Sequence, residues 1–235
     1  MHLFYQPNFL NVIALTDDEA FHAAKVLRLR EGAQISITDG VGNWFEAILK
    51  QSNPKRCEVV IQKQTTHPPK PYSIEIALAP TKNIDRMEWF VEKATEIGID
   101  KISFFYTQRS ERKALKLERL QKIAISAMKQ SLQTYLPTII EIDDFAKFLI
   151  SANPTTQKFI AHLPESTPPA SLLDVALPQR NYTVLIGPEG DFTTSEIQLT
   201  QQYDFQMITL GTTRLRTETA ALVACHTLHL ANLHP

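Results

Sequence analysis

The sequence predicts an α/β protein in two parts, a small β-rich unit followed by a larger one built on a mostly parallel sheet. Three observations predict it. Residues 1–66 hold alternating and β-branched runs broken by Asp-Gly and Gly-Asn turns. The stretch "THPPKP", Thr66 to Pro71, carries Pro68, Pro69 and Pro71, none of which can join a central strand or a helix interior. Beyond it, apolar strand-like runs alternate with amphipathic helical stretches, the rhythm of βα units with a sheet covered on both faces.

Taken in order, Glu31-Gly32 precedes the alternating run "AQISITDG", and the turn residues Asp39-Gly40 and Gly42-Asn43 lead into "WFEAILK". "KRCEVVIQKQ" is a further strand, and one short helix spans about Asp17 to Leu27. Short strands of this kind make a small barrel or sandwich. After the linker "YSIEIALAP" is a strand. Asn83 then caps a helix in which Ile84, Met87, Phe90, Val91, Ala94 and Ile97 share one face, and Gly98 ends it. "KISFFY" is a strand, Lys116 to Leu132 a long basic helix, and "QKFIAHL" a strand. "NYTVLIG" runs through a glycine loop to a helix opened by Thr193 or Thr194 with Ser195-Glu196. "FQMITLG" precedes a last helix from about Glu218 to Leu230, with Thr217 as its cap. Trp44 and Trp89 are read as core.

Composition sets bounds on function. The chain has 235 residues, 43% apolar and 21% charged, ordinary for a globular protein. No apolar run reaches the length of a membrane span, and the first ten residues do not resemble a signal peptide. Cys57 and Cys225 stand far apart and suggest a reducing compartment, so a cytoplasmic protein is expected. The formal net charge is −1, but its distribution is uneven. Residues 101–130 carry eight basic side chains, Arg112 and Lys113 among them, against Glu111 and Glu118. Such a face suits a polyanion, and it equally suits a solvated helix with i,i+4 pairs.

Two consecutive strands of the second part end in glycine. One leads into Gly187-Pro188-Glu189-Gly190, the other into Gly211 and "TTRLRTETAALVA". Ligands of parallel sheets bind beyond the carboxyl ends of strands. Glycine permits close approach there, and Glu218 suits the positive end of the last helix. There is no G-x-G-x-x-G after a strand and no P-loop sequence. His226 and His229, with Cys225 beside them and only His234 near, make too few converging ligands for a metal site, and none is expected.

"LIGPEGDFTTSEI" together with "LGTTRLRTETAALVA" resembles the SPOUT methyltransferases, and within them the 16S ribosomal RNA uridine-N3 methyltransferases (the RsmE family). The resemblance extends through "KNIDRMEWFVEKATEIGIDKI", "QRSERK", "AMKQSLQTYLP" and "HAAKVLRLREGAQISITDGVG", and so covers nearly the whole chain. It implies a PUA-like RNA-binding β-barrel over residues 1–66, a linker over 67–72, and a SPOUT domain over 73–235. In that domain the C-terminal chain would thread a deep trefoil knot. It implies a homodimer acting on small-subunit ribosomal RNA, free or in the assembled 30S subunit.

The resemblance also implies S-adenosylmethionine as cofactor, held by three loops. The first begins at His162-Leu163. The second is Ile186-Gly187-Pro188-Glu189-Gly190. The third runs from Leu210-Gly211 through Leu215, Arg216, Thr217, Glu218, Thr219 and Ala220. Arg216 is the candidate for holding the uracil or its developing charge, its alternative being a salt bridge, for instance to Glu189. Glu189 is a base or, in preference, a loop brace. Lys82 and Arg109 are phosphate-binding candidates, Lys25, Arg28 and Arg30 extend that surface, and Gln130 and Ser131 are candidates to orient the base. Three positions depart from the family's usual pattern: Asp191 stands where glycine is frequent, Thr213-Arg214 where Arg-Ile is usual, and Lys129 where glutamate precedes Gln-Ser. A ribose 2′-O or other-base methyltransferase and a non-catalytic RNA-binding protein remain the alternatives.

Overall fold

The computed structural model describes residues 2–9, 14–111, 114–162 and 169–233. The chain divides into two compact units, residues 1–69 with 125–136, and residues 70–124 with 137–235.

The first unit holds strands β1 (Leu3–Tyr5), β2 (Gln34–Thr38), β3 (Asn43–Gln51) and β4 (Glu58–Thr66) in one sheet of order β1-β2-β3-β4. β1 lies parallel to β2, and the other pairs are antiparallel. The β2–β3 turn forms because the Asp39 carboxylate accepts from the amides of Val41 and Asn43, leaving Gly40 and Gly42 to take left-handed φ values of 76° and 105°. Helix α1 (Asp17–Phe21), capped by Thr16, continues into a π-helical turn, His22–Val26, so the expected helix is present with an irregular second half. Phe4, Phe9, Ile37, Phe45 and Leu49 fill the core of this unit. Residues 125–136 belong here because Tyr135 bridges to Val41, and the Leu136 amide donates to the Gly40 carbonyl at 2.9 Å.

The second unit is a six-stranded sheet with every neighbouring pair parallel. Its strands are β5 (Ile74–Leu78), β6 (Lys101–Phe105), β7 (Thr138–Ile142), β8 (Gln157–Ala161), β9 (Tyr182–Ile186) and β10 (Gln206–Ile208), in the order β10-β8-β9-β5-β6-β7. The helices are α2 (Ile84–Ile97), α3 (Leu117–Gln130, whose end lies in the first unit), α4 (Phe145–Ser151), α5 (Leu172–Val175), α6 (Thr194–Gln202) and α7 (Thr217–Leu233). α2 starts where the Asn83 side chain accepts from the Asp85 amide and ends at Gly98, φ 95°, whose amide donates back to Ala94 and Thr95. β9 is buried at every position, as a strand covered on both faces must be.

Three local expectations change. β1, β7, α4 and α5 have no counterpart in the sequence reading. Trp89 is not core: it stays 41% exposed on α2, while Met87, Phe90 and Val91 bury the other face. Thr217 is the first residue of α7 rather than its cap, and its hydroxyl donates to the Gly187 carbonyl at 3.1 Å. Among the described residues no helix is long and apolar enough to cross a membrane, and no three metal-ligating side chains converge.

Candidate active site

β8, β9 and β10 end at Ala161, Ile186 and Ile208 and are neighbours at one edge of the sheet. Since they run parallel, the loops that leave them share one rim, where open α/β sheets hold ligands. The two glycine-ended strands are consecutive in sequence but not in space. β8 lies between them, which sets His162 among all three loops.

A cavity of about 730 Å³ opens at this rim. His162 lines it from the first loop, Ile186, Gly187, Pro188 and Glu189 from the second. Leu210, Gly211, Leu215, Arg216, Thr217 and Ala220 line it from the third. Leu163 lies outside the described residues, as do Arg112, Lys113 and His234. Gly190 is absent from the wall, because it faces Arg109, whose Nη1 donates to its carbonyl at 2.7 Å. Glu218 and Thr219 line a neighbouring cleft of about 310 Å³ instead, since they point away from the cavity on the first turn of α7.

Five lining residues with charge or a hydroxyl were not among the predicted site residues: Arg86, Asp191, Thr209, Thr213 and Arg214. Arg86 sits in the first turn of α2, where the helix dipole disfavours a cation. That misplacement was the available signal, and the structure resolves it. Its guanidinium lies 3.8 Å from Glu189 and 3.7 Å from Glu218, so one arginine ties the second loop to the start of α7. Glu189 also accepts from the Lys82 amide at 3.2 Å. These are the contacts of a brace, and its ion-pair partner is Arg86 rather than Arg216. Arg216 is exposed and makes no ion pair among the described residues.

Asp191 is explained by two features. Its φ is 60°, a left-handed conformation that glycine adopts freely and aspartate tolerates better than most residues. Its carboxylate lies 3.0 Å from His162 Nδ1 and also accepts from the Phe192 amide at 2.7 Å. A glycine there would satisfy the backbone but not link the first loop to the second. Below, a Cβ on Gly187 would come within 3.0 Å of the Phe192 ring, so glycine there lets the loop close over Phe192. Arg109 reaches the carbonyls of Gly190 and, at 3.4 Å, Phe192, which makes it a clamp on this loop.

In the first unit Lys25, Arg28 and Arg30 are all exposed and form no ion pair among the described residues. Gln130 is exposed at the end of α3. The Ser131 hydroxyl donates to the Ala127 carbonyl at 2.7 Å and finishes the helix. Lys129, the departure from glutamate, has its own partner: its ammonium lies 2.6 Å from the Glu19 carboxylate, and both side chains are largely buried.

Comparison with known proteins agrees with this geometry. A model of the RNA methyltransferase domain matches residues 68–229, and a model of the RNA methyltransferase PUA domain matches residues 15–62. The chain is 30% identical over 234 residues to ribosomal RNA small subunit methyltransferase E of Rickettsia conorii, covering 94% of this chain and 91% of that one. Among solved structures, one described as a "probable rRNA-methyltransferase" from Porphyromonas gingivalis superposes with a TM-score of 0.92 at 39% identity, covering 99% and 98% of the two chains. Ribosomal RNA small subunit methyltransferase E of Neisseria gonorrhoeae, bound to S-adenosyl methionine, gives 0.88 at 30% identity over 99% and 98%.

Proposed function

The chain belongs to the RNA methyltransferase family, in the branch of ribosomal RNA small subunit methyltransferase E, and on that premise we propose that it transfers a methyl group from S-adenosylmethionine to N3 of a uridine in 16S ribosomal RNA. The carrying observation is the cavity at three parallel strand ends, walled by Ile186, Leu210, Leu215 and Ala220 and edged by Glu189 and Arg216. Apolar walls with a few placed polar groups suit a cofactor of adenosine and methionine parts, and the Neisseria relative holds S-adenosyl methionine.

The bound cofactor supplies an activated methyl group on a sulfonium. This chain's residues hold and orient the partners. Thr217 and Arg86 lock the second loop to α7, which keeps the cavity preformed. The uracil imide is neutral and weakly nucleophilic, so charge develops on its carbonyl oxygens as the N3 proton leaves. Arg216, exposed beside the cavity with no ion pair among the described residues, is the cation that meets that charge. Glu189 braces the second loop through Arg86 and the Lys82 amide.

Residues 1–66 serve as the RNA-binding PUA-like barrel and 67–72 as linker. Lys25, Arg28, Arg30 and Lys82 contact phosphate, and Gln130 lies at the RNA surface. Residues 73–235 form the knotted SPOUT domain, a form supported by membership of the RNA methyltransferase family. The working form is a homodimer in the cytoplasm, acting on free small-subunit RNA or the 30S subunit. The test is mass mapping of ribosomal RNA from cells lacking this gene. One N3-methyluridine should vanish from the small subunit; its persistence would reject the reaction.

A further inference from the structure

In the first unit, α1 and the π-helical turn that follows it seat one side in the core and leave the other uncovered. Ala20 and Ala23 are fully buried, with Ala24 and Leu27 packed against the same core. Glu19 fixes the element in place, since its carboxylate accepts from the Tyr5 amide at 3.2 Å and from the Lys129 ammonium at 2.6 Å. On the open side Phe21 keeps 54% of its surface exposed and Val26 60%. Lys25 stands one helical turn beyond Phe21, within reach of the same face. Lys25, Arg28 and Arg30 are exposed without an ion pair among the described residues, and no acidic residue stands between Glu19 and Glu31. Two backbone features are out of the ordinary. The Leu27 amide donates to the His22 carbonyl, five residues back, at 2.9 Å, a π turn of the kind that recurs at functional sites. Arg28 then holds a φ of 53°, a left-handed conformation that glycine adopts freely and arginine only with strain. Folding alone would favour glycine at that position, so a strained guanidinium there points to something that it binds.

We propose that this surface binds an unpaired stretch of the ribosomal RNA substrate, with Phe21 stacking on one base and Lys25, Arg28 and Arg30 holding the phosphates beside it. The inference deepens the function proposed above and rests on it for the substrate, adding a base contact to the phosphate contacts. The three cations favour a polyanion over a protein partner, because the centre of a protein interface is depleted in lysine. The exposed phenyl ring favours a single strand. In a duplex the bases are stacked on one another and only phosphates and sugar hydroxyls are offered, whereas an unpaired base can lie on an aromatic ring. None of the residues lining the cofactor cavity belongs to the first unit, so the contact is assigned to a nucleotide other than the one methylated. Phe21 is therefore a positioning residue. The burial of Ala20 and Ala23 and the Glu19–Lys129 pair hold the platform rigid before RNA arrives.

The test is fluorescence anisotropy of the full chain with a labelled single-stranded RNA oligonucleotide of mixed sequence, and with the same sequence as a duplex. Phe21→Ala should weaken single-strand binding about tenfold, the stacking of one base, and Phe21→Trp should restore it. Duplex binding, which rests on phosphate contacts, should stay within about twofold. Phe21→Ala should leave the salt dependence of single-strand binding unchanged, whereas Lys25→Gln should lower its logarithmic slope by about 0.7, one phosphate contact fewer. Arg28→Gly should weaken binding without lowering the melting temperature, because glycine fits the left-handed backbone. In methyl transfer to small-subunit RNA, Phe21→Ala should raise KM and leave kcat in place, the behaviour of a residue that positions RNA away from the reacting atoms. Absent single-strand binding by the wild type, equal loss of single strand and duplex in Phe21→Ala, or wild-type binding by Arg28→Gly would overturn the assignment. Phe21-dependent binding by a protein that transfers nothing to N3 would keep this surface and reject the reaction. Transfer to N3 with an unchanged KM in Phe21→Ala would remove the surface and leave the reaction standing.

Discussion

The second and third loops of the cavity leave parallel strands of one sheet, yet they are held differently. The Gly187–Phe192 loop is tied from every side: Arg109 on two carbonyls, Arg86 and Lys82 on Glu189, His162 on Asp191, and Thr217 on Gly187. It then passes into α6 through a capping box in which Thr193 and Glu196 satisfy each other's amides. The stretch from Gly211 to Arg216 has one local turn, in which the Thr209 hydroxyl donates to the Gly211 carbonyl at 2.7 Å, and residues 211–214 and 216 are exposed. Neither Arg214 nor Arg216 has an ion pair among the described residues. The second loop is held by its own contacts. The third carries two exposed cations, Arg214 and Arg216.

Breaking that contrast should separate binding from turnover. The largest expected effect is Arg216→Ala. In the role proposed for it, its charge meets the reacting base, so kcat/KM for RNA should fall about 100-fold or more, while calorimetry should show S-adenosylmethionine affinity within about twofold. Arg109→Ala tests the other loop. Losing its clamp on an exposed loop should weaken cofactor affinity about fivefold, the worth of roughly one net hydrogen bond, with kcat at saturation little changed.

A smaller effect sharpens the role of Asp191. Asp191→Ala loses the His162 contact and places a less tolerant residue at φ 60°, whereas Asp191→Gly loses only the contact. Denaturant titration should therefore find the alanine variant less stable than the glycine variant by about 1 kcal/mol. Both should bind the cofactor more weakly than wild type.

A further effect lies away from both loops. His229 on α7 packs beside Tyr72, whose hydroxyl lies 3.2 Å from Nδ1. Burial, helped by the Lys70 ammonium, pushes its pKa down from 6.5 to about 4. The unfolded chain therefore takes up this proton first, and stability should decline as pH falls from about 6.5 toward 4. His229→Leu should flatten that part of the melting-temperature profile.

The sequence made the two loops visible and hid what joins them. Asn83, Gly98, Thr193 and Glu196 act through their own or neighbouring amides, so local rules find them. His162 with Asp191, and Arg86 with Glu218, meet across 29 and 132 positions, and only the sheet order brings them together. β8 inserts between β9 and β10 for the same non-local reason. β1 is three residues long and parallel to β2, too short for a periodic signal. Trp89 misled because apolar spacing marks a buried face without revealing which aromatic stays open on the other.

The most direct test of the central claim is product identification after incubating the protein with methyl-labelled S-adenosylmethionine and small-subunit ribosomal RNA, free and within 30S subunits. Nucleoside mass spectrometry should find the label as N3-methyluridine, with the signal lost in Arg216→Ala. Label on a ribose 2′-oxygen or on another base, or no label from protein that binds the cofactor, would contradict it.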